Sequence, residues 1–233
     1  MLASLLECAV SSPRDKSCNI VEDETAVLRM SLVDANHPLT CQFKSYQARA
    51  TFGYPPAGTK KFGIWQELGS GADGTVRMAS TVPSAICGSC VTAFAVKFFH
   101  EVSHGEETKP PAEIERDHYR AIYTPHMFPK HAFQVVCLQQ QCLLLPYFKP
   151  TPKNLRGKAL EELERNIFPA MTNAKLRLNV DEDDEVHWRH VLNYCDSNGA
   201  IHFVFIDLLR LLPNPYSHKA WESHALGLLR QRM

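Results

Sequence analysis

The sequence predicts an α+β fold, and two observations lead to that prediction. Runs rich in β-branched and aromatic residues dominate residues 62–148, and one amphipathic helical stretch, at 109–123, interrupts them. Farther along, a second helical stretch precedes two β-type runs joined through Ser197, Asn198 and Gly199, which indicates a hairpin. Strands and helices therefore do not alternate regularly, as a parallel βαβ fold would require.

Five runs in the β-rich part have the composition of strands. They are FGIWQEL at 62–68, the stretch 75–80, VTAFAVKFF at 91–99, AFQVVCL at 132–138 and CLLLPYF at 142–148. The helix at 109–123 begins with two prolines, and Glu115, Tyr119 and Ile122 fall on one face of it. We expect that face to point inward.

Two further stretches, both outside that β-rich part, have the pattern of helices. Residues 154–176 predict a helix in which Pro169 marks a kink or an end. Residues 216–233 suit an amphipathic helix with Trp221, Leu226 and Leu229 on its buried side. The chain thus divides into an N-terminal extension of unknown role (1–55), a β-rich lobe (56–148) and a smaller second lobe (149–233), with the turn-forming residues GYPPAG near the first boundary.

Composition narrows the classes of partner. The 233 residues carry 25 Lys and Arg against 25 Asp and Glu, so no net charge points to nucleic acid or to an anionic membrane. The apolar runs are too short to span a bilayer, and the first ten residues lack the basic start of a signal peptide. We expect an intracellular protein, cytoplasmic or nuclear, with a secreted effector as the alternative. We expect its eight cysteines to be free thiols, and we expect it to bind neither nucleic acid nor membrane.

Three glycines, Gly69, Gly71 and Gly74, share the spacing of phosphate-binding loops. A dinucleotide-binding loop would lead into a helix, but β-favouring residues follow Gly74. The glycines therefore belong to a turn between two strands. That turn is either a flap over a nucleotide or a plain hairpin turn.

Two charged residues in apolar strands need partners. Lys97 lies within FAVKFF, where a solitary buried ammonium is costly, so it requires an anion. Glu115 or a phosphate group can supply that negative charge. Asp207 ends the run FVFID, and a carboxylate there needs a cation or several N–H donors.

In order and spacing, these three features resemble the protein-kinase-like superfamily over residues 60–215. Within it, LLLPYFKP at 143–150 and DEVHWRHVLNY at 184–194 are similar to the kinase-like domains of Crinkler-type effectors in oomycetes and some fungi. The resemblance implies a five-stranded antiparallel N-lobe with one αC-type helix and an abbreviated helical C-lobe. Only 26 residues follow Asp207, too few for the usual activation segment and helical lobe.

The resemblance also implies an ATP site with Mg²⁺. Gly69, Gly71 and Gly74 would lie at the phosphates, and Val76 and Ala95 at the adenine. Leu145 and Tyr147 would belong to the hinge. Lys97 would contact the α- and β-phosphates and form an ion pair with Glu115. Glu113 is the alternative to Glu115. Asp207 would hold Mg²⁺.

The catalytic loop departs from the kinase pattern. Glu185 takes the position of the catalytic base, or Asp184 does if the loop is bulged. His190 replaces the metal-binding Asn, and an imidazole is a poorer Mg²⁺ ligand than an oxygen. We expect Trp188 to be a packing anchor.

Two function hypotheses therefore stay open. One is an ATP-dependent phosphotransferase of reduced architecture, which Lys97, Glu115 and Asp207 favour. The other is a pseudokinase, an interaction module that recognises a protein partner without turnover, which Glu185 and His190 favour.

Overall fold

The structure is a computed structural model that describes residues 18–20, 27–30, 50–59, 62–81, 91–100, 109–123, 127–138, 141–180, 186–195 and 200–233. These residues form two compact units. The first comprises those up to Ala112 together with His131–Tyr147, and the second comprises Glu113–Lys130 together with Phe148–Met233. The first unit is built on a large sheet, and the second on helices and two small sheets, so the fold is α+β.

The large sheet has eight strands within the described residues. They are β1 (Cys18–Ile20), β2 (Val27–Met30), β3 (Ala50–Phe52), β4 (Phe62–Gly71), β5 (Gly74–Thr81), β6 (Val91–Phe99), β7 (Gln134–Cys137) and β8 (Gln141–Leu145). Their order is β1-β2-β4-β5-β6-β8-β7, and β3 pairs with β6. Strand β5 pairs with one edge of β6. Phe52 of β3 pairs with Ala93 on the other edge, so β3 lies along the same edge of β6 as β8.

The five predicted strands are all present, and β4, β5, β6, β8 and β7 pair antiparallel in that order. The sheet is nevertheless larger than predicted. Strands β1 to β3 come from the stretch predicted as an N-terminal extension, and β2 and β3 join β4 and β6 in parallel. Strands of three or four residues are too short to show an alternating pattern, so the sequence did not indicate their pairing.

One face of the large sheet carries a continuous hydrophobic core. Its buried members come from four strands and are Phe62, Ile64, Ala79, Phe94, Val96, Phe98, Cys142 and Leu144. The rings of Phe62 and Phe94 meet edge to face, with centroids 5.7 Å apart. Because side chains alternate along a strand, the residues between these in β6, namely Ala95 and Lys97, belong to the opposite face.

The second unit has four α-helices in its described part: α1 (Pro111–Tyr123), which begins at the end of the first unit, α2 (Arg156–Glu162), α3 (Phe168–Asn173) and α4 (Ala220–Gln231). Its strands are β9 (Lys149–Pro150), β10 (Leu176–Arg177), β11 (Val191–Cys195), β12 (Ile201–Phe205) and β13 (Leu212–Pro213). They form a β12-β11-β9 sheet and a β10-β13 pair. The predicted hairpin is confirmed by the antiparallel pairing of β11 with β12.

Pro169 falls inside a helical segment and does not end it. The residues just before it, Leu163–Ile167, form a π-helical turn that connects α2 to α3. A proline has no N–H to donate, and its ring would collide with the carbonyl four residues earlier in a regular α-helix. The wider π-helical turn relieves this conflict, so the helix continues as far as Asn173.

Helix α4 is the predicted C-terminal amphipathic helix. Trp221, Leu226 and Leu229 are buried, as the sequence indicated. The Trp221 ring packs on Phe168 of α3, with centroids 5.1 Å apart, which ties α4 to the core of the second unit. None of the helices in the described ranges has the length and apolar character that a bilayer crossing needs.

The glycines of the β4–β5 hairpin give a stability prediction. A Cβ at Gly74 would overlap the carbonyl oxygen of Phe98 on β6, whereas a Cβ at Gly69 or Gly71 would meet no described atom within 4 Å. Gly74→Ala should therefore lower the free energy of unfolding by about 1–3 kcal/mol. Gly69→Ala and Gly71→Ala should leave it unchanged or raise it by up to about 1 kcal/mol, because alanine loses less backbone entropy than glycine on folding. Urea unfolding measures all three, and equal stability of Gly74→Ala and Gly69→Ala would contradict the packing argument.

Candidate functional site

Four of the predicted nucleotide-contacting residues share one face of the large sheet. Val76 of β5 lies opposite Lys97 of β6, and Ala95 lies opposite Leu145 of β8. Directly opposed residues of antiparallel strands project to the same face, and residues two apart on one strand do so as well. The face that bears Val76, Ala95, Lys97 and Leu145, here called the Lys97 face, is the one opposite the hydrophobic core cluster.

Lys97 is buried on this face. Its side chain is 5% exposed, and its ammonium lies 5.1 Å from the centre of the Phe99 ring. The residues opposite it on the neighbouring strands are Val76 and Leu143, which are apolar. An aromatic face stabilises a cation by only about 0.5–2 kcal/mol, which is less than the several kcal/mol that burial of an ion costs. The contact with Phe99 therefore offsets only part of the cost of burying the ammonium.

The glycines lie at the end of a bulged strand. The β4–β5 register shifts twice, between Ile64 and Glu67 and between Glu67 and Gly69, and the hairpin then turns at residues 72–73. Gly69 pairs with Val76, so one row across the sheet runs from Gly69 through Val76 to Lys97. A bulge of this kind re-aims a strand end and is common next to binding sites.

Gly69 and Gly71 are not required by the described protein itself. Neither has a backbone φ in the left-handed region, and space is open where a side chain would project from either one. Gly74, in contrast, is required because Phe98 leaves no room for a Cβ. The openness at 69 and 71 leaves the backbone accessible to a bulky or charged ligand.

His100, which the sequence analysis did not single out, braces the hairpin turn. Its backbone N–H donates to the carbonyl of Asp73 (3.1 Å), and its Nδ1 lies 3.3 Å from the carbonyl oxygen of Ala72. Because a carbonyl only accepts, Nδ1 carries the hydrogen of that bond. The hydroxyls of Ser70 and Thr75 lie 3.0 Å apart across the hairpin. The turn is thus held by bonds on both sides.

The predicted hinge begins where β8 ends. Leu145 is its last residue, and the Tyr147 N–H donates to the carbonyl of Gly53 at 2.7 Å. The Tyr147 ring packs against Phe52, with centroids 4.7 Å apart. The segment that contains β3 therefore engages the hinge, and this N–H group is not available to a ligand in the structure.

Helix α1 carries the predicted partner of Lys97. Glu115 is fully buried, with 0% exposure, whereas the alternative, Glu113, is 33% exposed and lies 4.0 Å from Arg116. The preference for Glu115 as the inward-facing carboxylate is therefore confirmed. Of the Lys, Arg, Asp and Glu side chains in the described part of the chain, Lys97 and Glu115 are the two that are buried. They belong to different units, and the ion pair between them stays a prediction.

Asp207 follows β12 in an unusual backbone conformation. Its φ is 65°, in the left-handed region that residues other than glycine seldom adopt. Its N–H donates to the hydroxyl of Tyr119 on α1 at 3.3 Å, and its side chain is 36% exposed. Residues in such strained conformations persist only where the surrounding structure holds them in place, and they are found mostly at functional sites.

His190 lies near Asp207 but is already engaged. Its Nε2 accepts a hydrogen bond from Nε of Arg189 at 3.1 Å, so that nitrogen is unprotonated. The same Nε2 lies 4.0 Å from the Asp207 carboxylate. In the structure the lone pair of Nε2 is directed at Arg189, and the role of His190 as a metal ligand stays a prediction.

Trp188 is a packing anchor, as predicted. It is buried, its indole N–H donates to the carbonyl of Leu229 on α4 at 3.0 Å, and the guanidinium of Arg156 lies 4.8 Å from the centre of its ring. Arg232 donates to the carbonyl of Val186 at 2.8 Å, so the C-terminal helix holds both ends of this short stretch. Glu185 and Asp184, the two candidates for the catalytic base, lie outside the described residues.

The donor atoms suit Mg²⁺ at one position. The carboxylate of Asp207 offers oxygen ligands, which Mg²⁺ prefers, and Mg²⁺ usually takes one or two carboxylates together with phosphate oxygens and water. Within the described residues, no group of three or more His, Cys, Asp or Glu side chains could hold a metal ion. An ion at Asp207 would therefore have to come with a ligand that brings further oxygens.

Comparison with known proteins adds no relative. A scan of the sequence against protein-family models found no match, and a search of the curated proteins also found none. The function is consequently inferred from the geometry of the site.

Two tyrosines of α1 were not recognised as functional from the sequence. The Tyr123 hydroxyl donates to the carbonyl of Phe205 (2.7 Å) and accepts from the N–H of the same residue (2.8 Å). The Tyr119 hydroxyl accepts from Asp207. A signal was present, because tyrosines four residues apart on a buried helical face must find partners for both hydroxyls.

Both hydroxyls stay protonated over the ordinary pH range. Burial raises the pKa of Tyr119 well above 10.0, and the neighbouring groups of Glu115, Tyr123 and Asp207 raise it further. Burial also raises the pKa of Tyr123, although its hydrogen bond with Phe205 lowers it slightly. Neutral hydroxyls are thus held next to the acidic side chains.

These pKa shifts predict a loss of stability at alkaline pH. A tyrosine whose folded-state pKa exceeds the unfolded value of about 10 contributes stability that is complete below pH 10 and is lost as pH rises toward the folded-state pKa. Above pH 10, the free energy of unfolding of Tyr123→Phe should therefore fall less steeply with pH than that of the wild type, by about 1.4 kcal/mol per pH unit. It should also lower the free energy of unfolding at pH 8 by about 1–3 kcal/mol, because Phe205 loses the partner of both backbone groups.

Urea unfolding between pH 8 and 11 measures both effects. Tyr216→Phe, at a side chain that is 81% exposed, is the control for loss of a hydroxyl and should stay within about 0.5 kcal/mol of the wild type at pH 8. Stability curves that run parallel for Tyr123→Phe and the wild type would contradict the pKa argument.

Proposed function

We propose that this chain is a protein-kinase-like protein that binds ATP on the Lys97 face of its large sheet. The observation that carries the proposal is the row Gly69, Val76 and Lys97, in which an open glycine backbone, an apolar side chain and a buried ammonium lie side by side. A nucleotide has a charged part and a flat apolar part, and the row and its neighbours offer a partner for each.

The apolar neighbours suit a base. Ala95 and Leu145 lie opposite each other on the Lys97 face, and both are buried in the structure. Ligand sites are lined mainly by such side chains, with a few polar groups that fix orientation. The small Ala95 side chain leaves more room for a flat ring than any larger apolar residue would.

The polar part of the row suits phosphate. An ammonium buried among apolar groups attracts an anion more strongly than one in water, because the local dielectric constant is lower. The open backbone at Gly69 and Gly71 lets N–H groups approach phosphate oxygens closely, since no side chain stands in the way. The bonds that His100 makes to Ala72 and Asp73 brace the turn that follows this backbone.

The proposal gives Glu115 and Asp207 the roles implied by the resemblance. Glu115 would pair with Lys97, so that each of the two buried charges offsets the cost of burying the other. Asp207 would hold the Mg²⁺ that accompanies ATP, and this ion would neutralise part of the phosphate charge. His190 takes no part in holding the metal in this proposal.

A second candidate function is a binding module that holds ATP without turnover and recognises a protein partner. Two observations favour it: His190 directs Nε2 at Arg189, and the Tyr147 N–H is occupied by Gly53. A phosphoryl-transfer site must place its ligands within about half an ångström, and these contacts differ from what transfer requires. An assay of phosphate transfer from ATP separates the two functions, because the binding module should not exceed the background of Asp207→Asn.

Calorimetric titration with ATP tests the proposal. The wild type should bind, Lys97→Met should bind at least about tenfold more weakly because it loses a charge-assisted contact worth 1.5–3 kcal/mol, and both should remain folded because methionine has a similar volume. Gly69→Ala should also weaken binding although it does not destabilise the fold. Gly157→Ala, at another glycine with open space around it, is the matched control and should bind as the wild type does.

The pattern of affinities decides between explanations. If Lys97→Met binds ATP as tightly as the wild type, the phosphate role of Lys97 is wrong. If Gly69→Ala and Gly157→Ala both match the wild type, the nucleotide does not approach the glycine hairpin. Absence of binding by the wild type would overturn the proposal as a whole.

A further inference from the structure

The segment around Asp207 is held by side chains of a single helix. On α1, His118, Tyr119 and Tyr123 all bond to backbone groups between Phe205 and Leu208. Nδ1 of His118 lies 2.7 Å from the carbonyl oxygen of Leu208, and it must be the donor because a carbonyl only accepts. Hydrogen bonds from α1 therefore lie on both sides of Asp207 and at Asp207 itself.

The three side chains bond to different residues. Tyr123 engages both backbone groups of Phe205, where the chain is still in the extended conformation of β12. At Ile206 the N–H donates to the carbonyl of His190 (2.8 Å), which continues the contact between the two strand ends. Tyr119 alone among these contacts bonds to the residue that has turned into the left-handed region.

A left-handed conformation needs support of this kind. It costs an ordinary residue roughly 1–2 kcal/mol relative to the right-handed one, and aspartate is among the residues that tolerate it better than most. A single hydrogen bond contributes a net amount of about the same size. The bond from the Asp207 N–H to Tyr119 is therefore large enough to decide which conformation is populated.

Tyr119 is suited to this role by its surroundings. Its side chain is buried, and its hydroxyl oxygen has the lone pairs that accept from the Asp207 N–H group. A carboxylate in its place would add a charge next to Asp207. A phenylalanine would fill almost the same volume but offer no acceptor.

We propose that Tyr119 is a positioning residue, which holds Asp207 in its left-handed conformation, the conformation in which the Asp207 carboxylate would bind Mg²⁺. The inference rests on the proposed function for the identity of the metal complex. The hydrogen bond itself does not depend on that function. Tyr119 would contact neither the metal nor the nucleotide.

Two measurements on Tyr119→Phe test the inference. The first is hydrogen exchange of the Asp207 amide by NMR in the absence of nucleotide, which should become about tenfold faster or more when the acceptor is removed. The second is the gain in ATP affinity on adding Mg²⁺, expressed as the ratio of Kd values in EDTA and in Mg²⁺. That gain should fall at least fivefold, while the affinity in EDTA stays within twofold of the wild type.

Two variants serve as controls. Tyr123→Phe loses a buried hydroxyl from the same helix, but its bonds are to Phe205, so it should speed exchange at Phe205 and keep most of the Mg²⁺ gain. Asp207→Asn should abolish the gain. If the wild type and Asp207→Asn show the same ratio, the proposed metal role of Asp207 fails, and the amide exchange still reports whether Tyr119 holds the backbone.

The outcomes for Tyr119→Phe are decisive. Unchanged exchange at Asp207 would overturn the inference, because the hydrogen bond would not hold the conformation. Faster exchange with a full Mg²⁺ gain would overturn it as well, because the conformation would not matter for the metal. Equal losses of affinity in EDTA and in Mg²⁺ would indicate a general folding defect and would also contradict a positioning role.

Discussion

A lysine ammonium buried in an inner strand is the constraint on which the first unit depends. Lys97 lies on β6, which pairs with strands on both of its edges, and its side chain is almost wholly enclosed. The desolvation of an ion costs several kcal/mol even after relaxation, while a whole fold is stable by about 5–15 kcal/mol. A hydrophobic residue would fit this position with less cost. The retention of a cation is best explained by an anionic partner, and ATP together with Glu115 supplies one in the function proposed here.

The buried lysine also bears on the role of the neighbouring glycines. Gly74 and Gly69 belong to one motif, but only Gly74 must be glycine for the fold. The backbone of Phe98 leaves no room for a Cβ at Gly74, whereas no described atom would contact a Cβ at Gly69. A hairpin that served only as a turn would need the first and not the second. The open position lies in the same row of the sheet as the lysine, which links the two observations without appeal to the motif.

Much of the fold could be predicted because long elements carry their own pattern. Val91–Phe99 was bounded correctly since a continuous β-branched and aromatic run is typical of a buried strand, and α1 was found from its entry prolines and inward face. Of the strands β1 to β3, only β2 falls within a run of β-type composition, at 26–33, and the pairing of all three with the large sheet could not be predicted, because backbone pairing and not side-chain pattern places segments of three or four residues. The same limit applies to the Tyr147 N–H, whose partner Gly53 is remote in sequence.

The site was predictable at the level of residue groups and not at the level of hydrogen bonds. The sequence assigned Val76, Ala95, Lys97 and Leu145 to one ligand, and the register places them on one face. It did not show that Arg189 occupies Nε2 of His190 or that Tyr119 accepts from Asp207, since these bonds depend on side-chain directions that only the folded chain fixes.

The most direct test of the central claim is an NMR titration that maps the amide signals perturbed by ATP. If the nucleotide lies on the Lys97 face, the largest shifts should fall at Gly69, Ser70 and Gly71 and at Val76 and Lys97, and they should saturate together with one Kd. Residues of the opposite face, such as Phe94 and Val96, should shift less. Saturable shifts confined to other parts of the chain, with the glycine hairpin and Lys97 unchanged, would contradict the account.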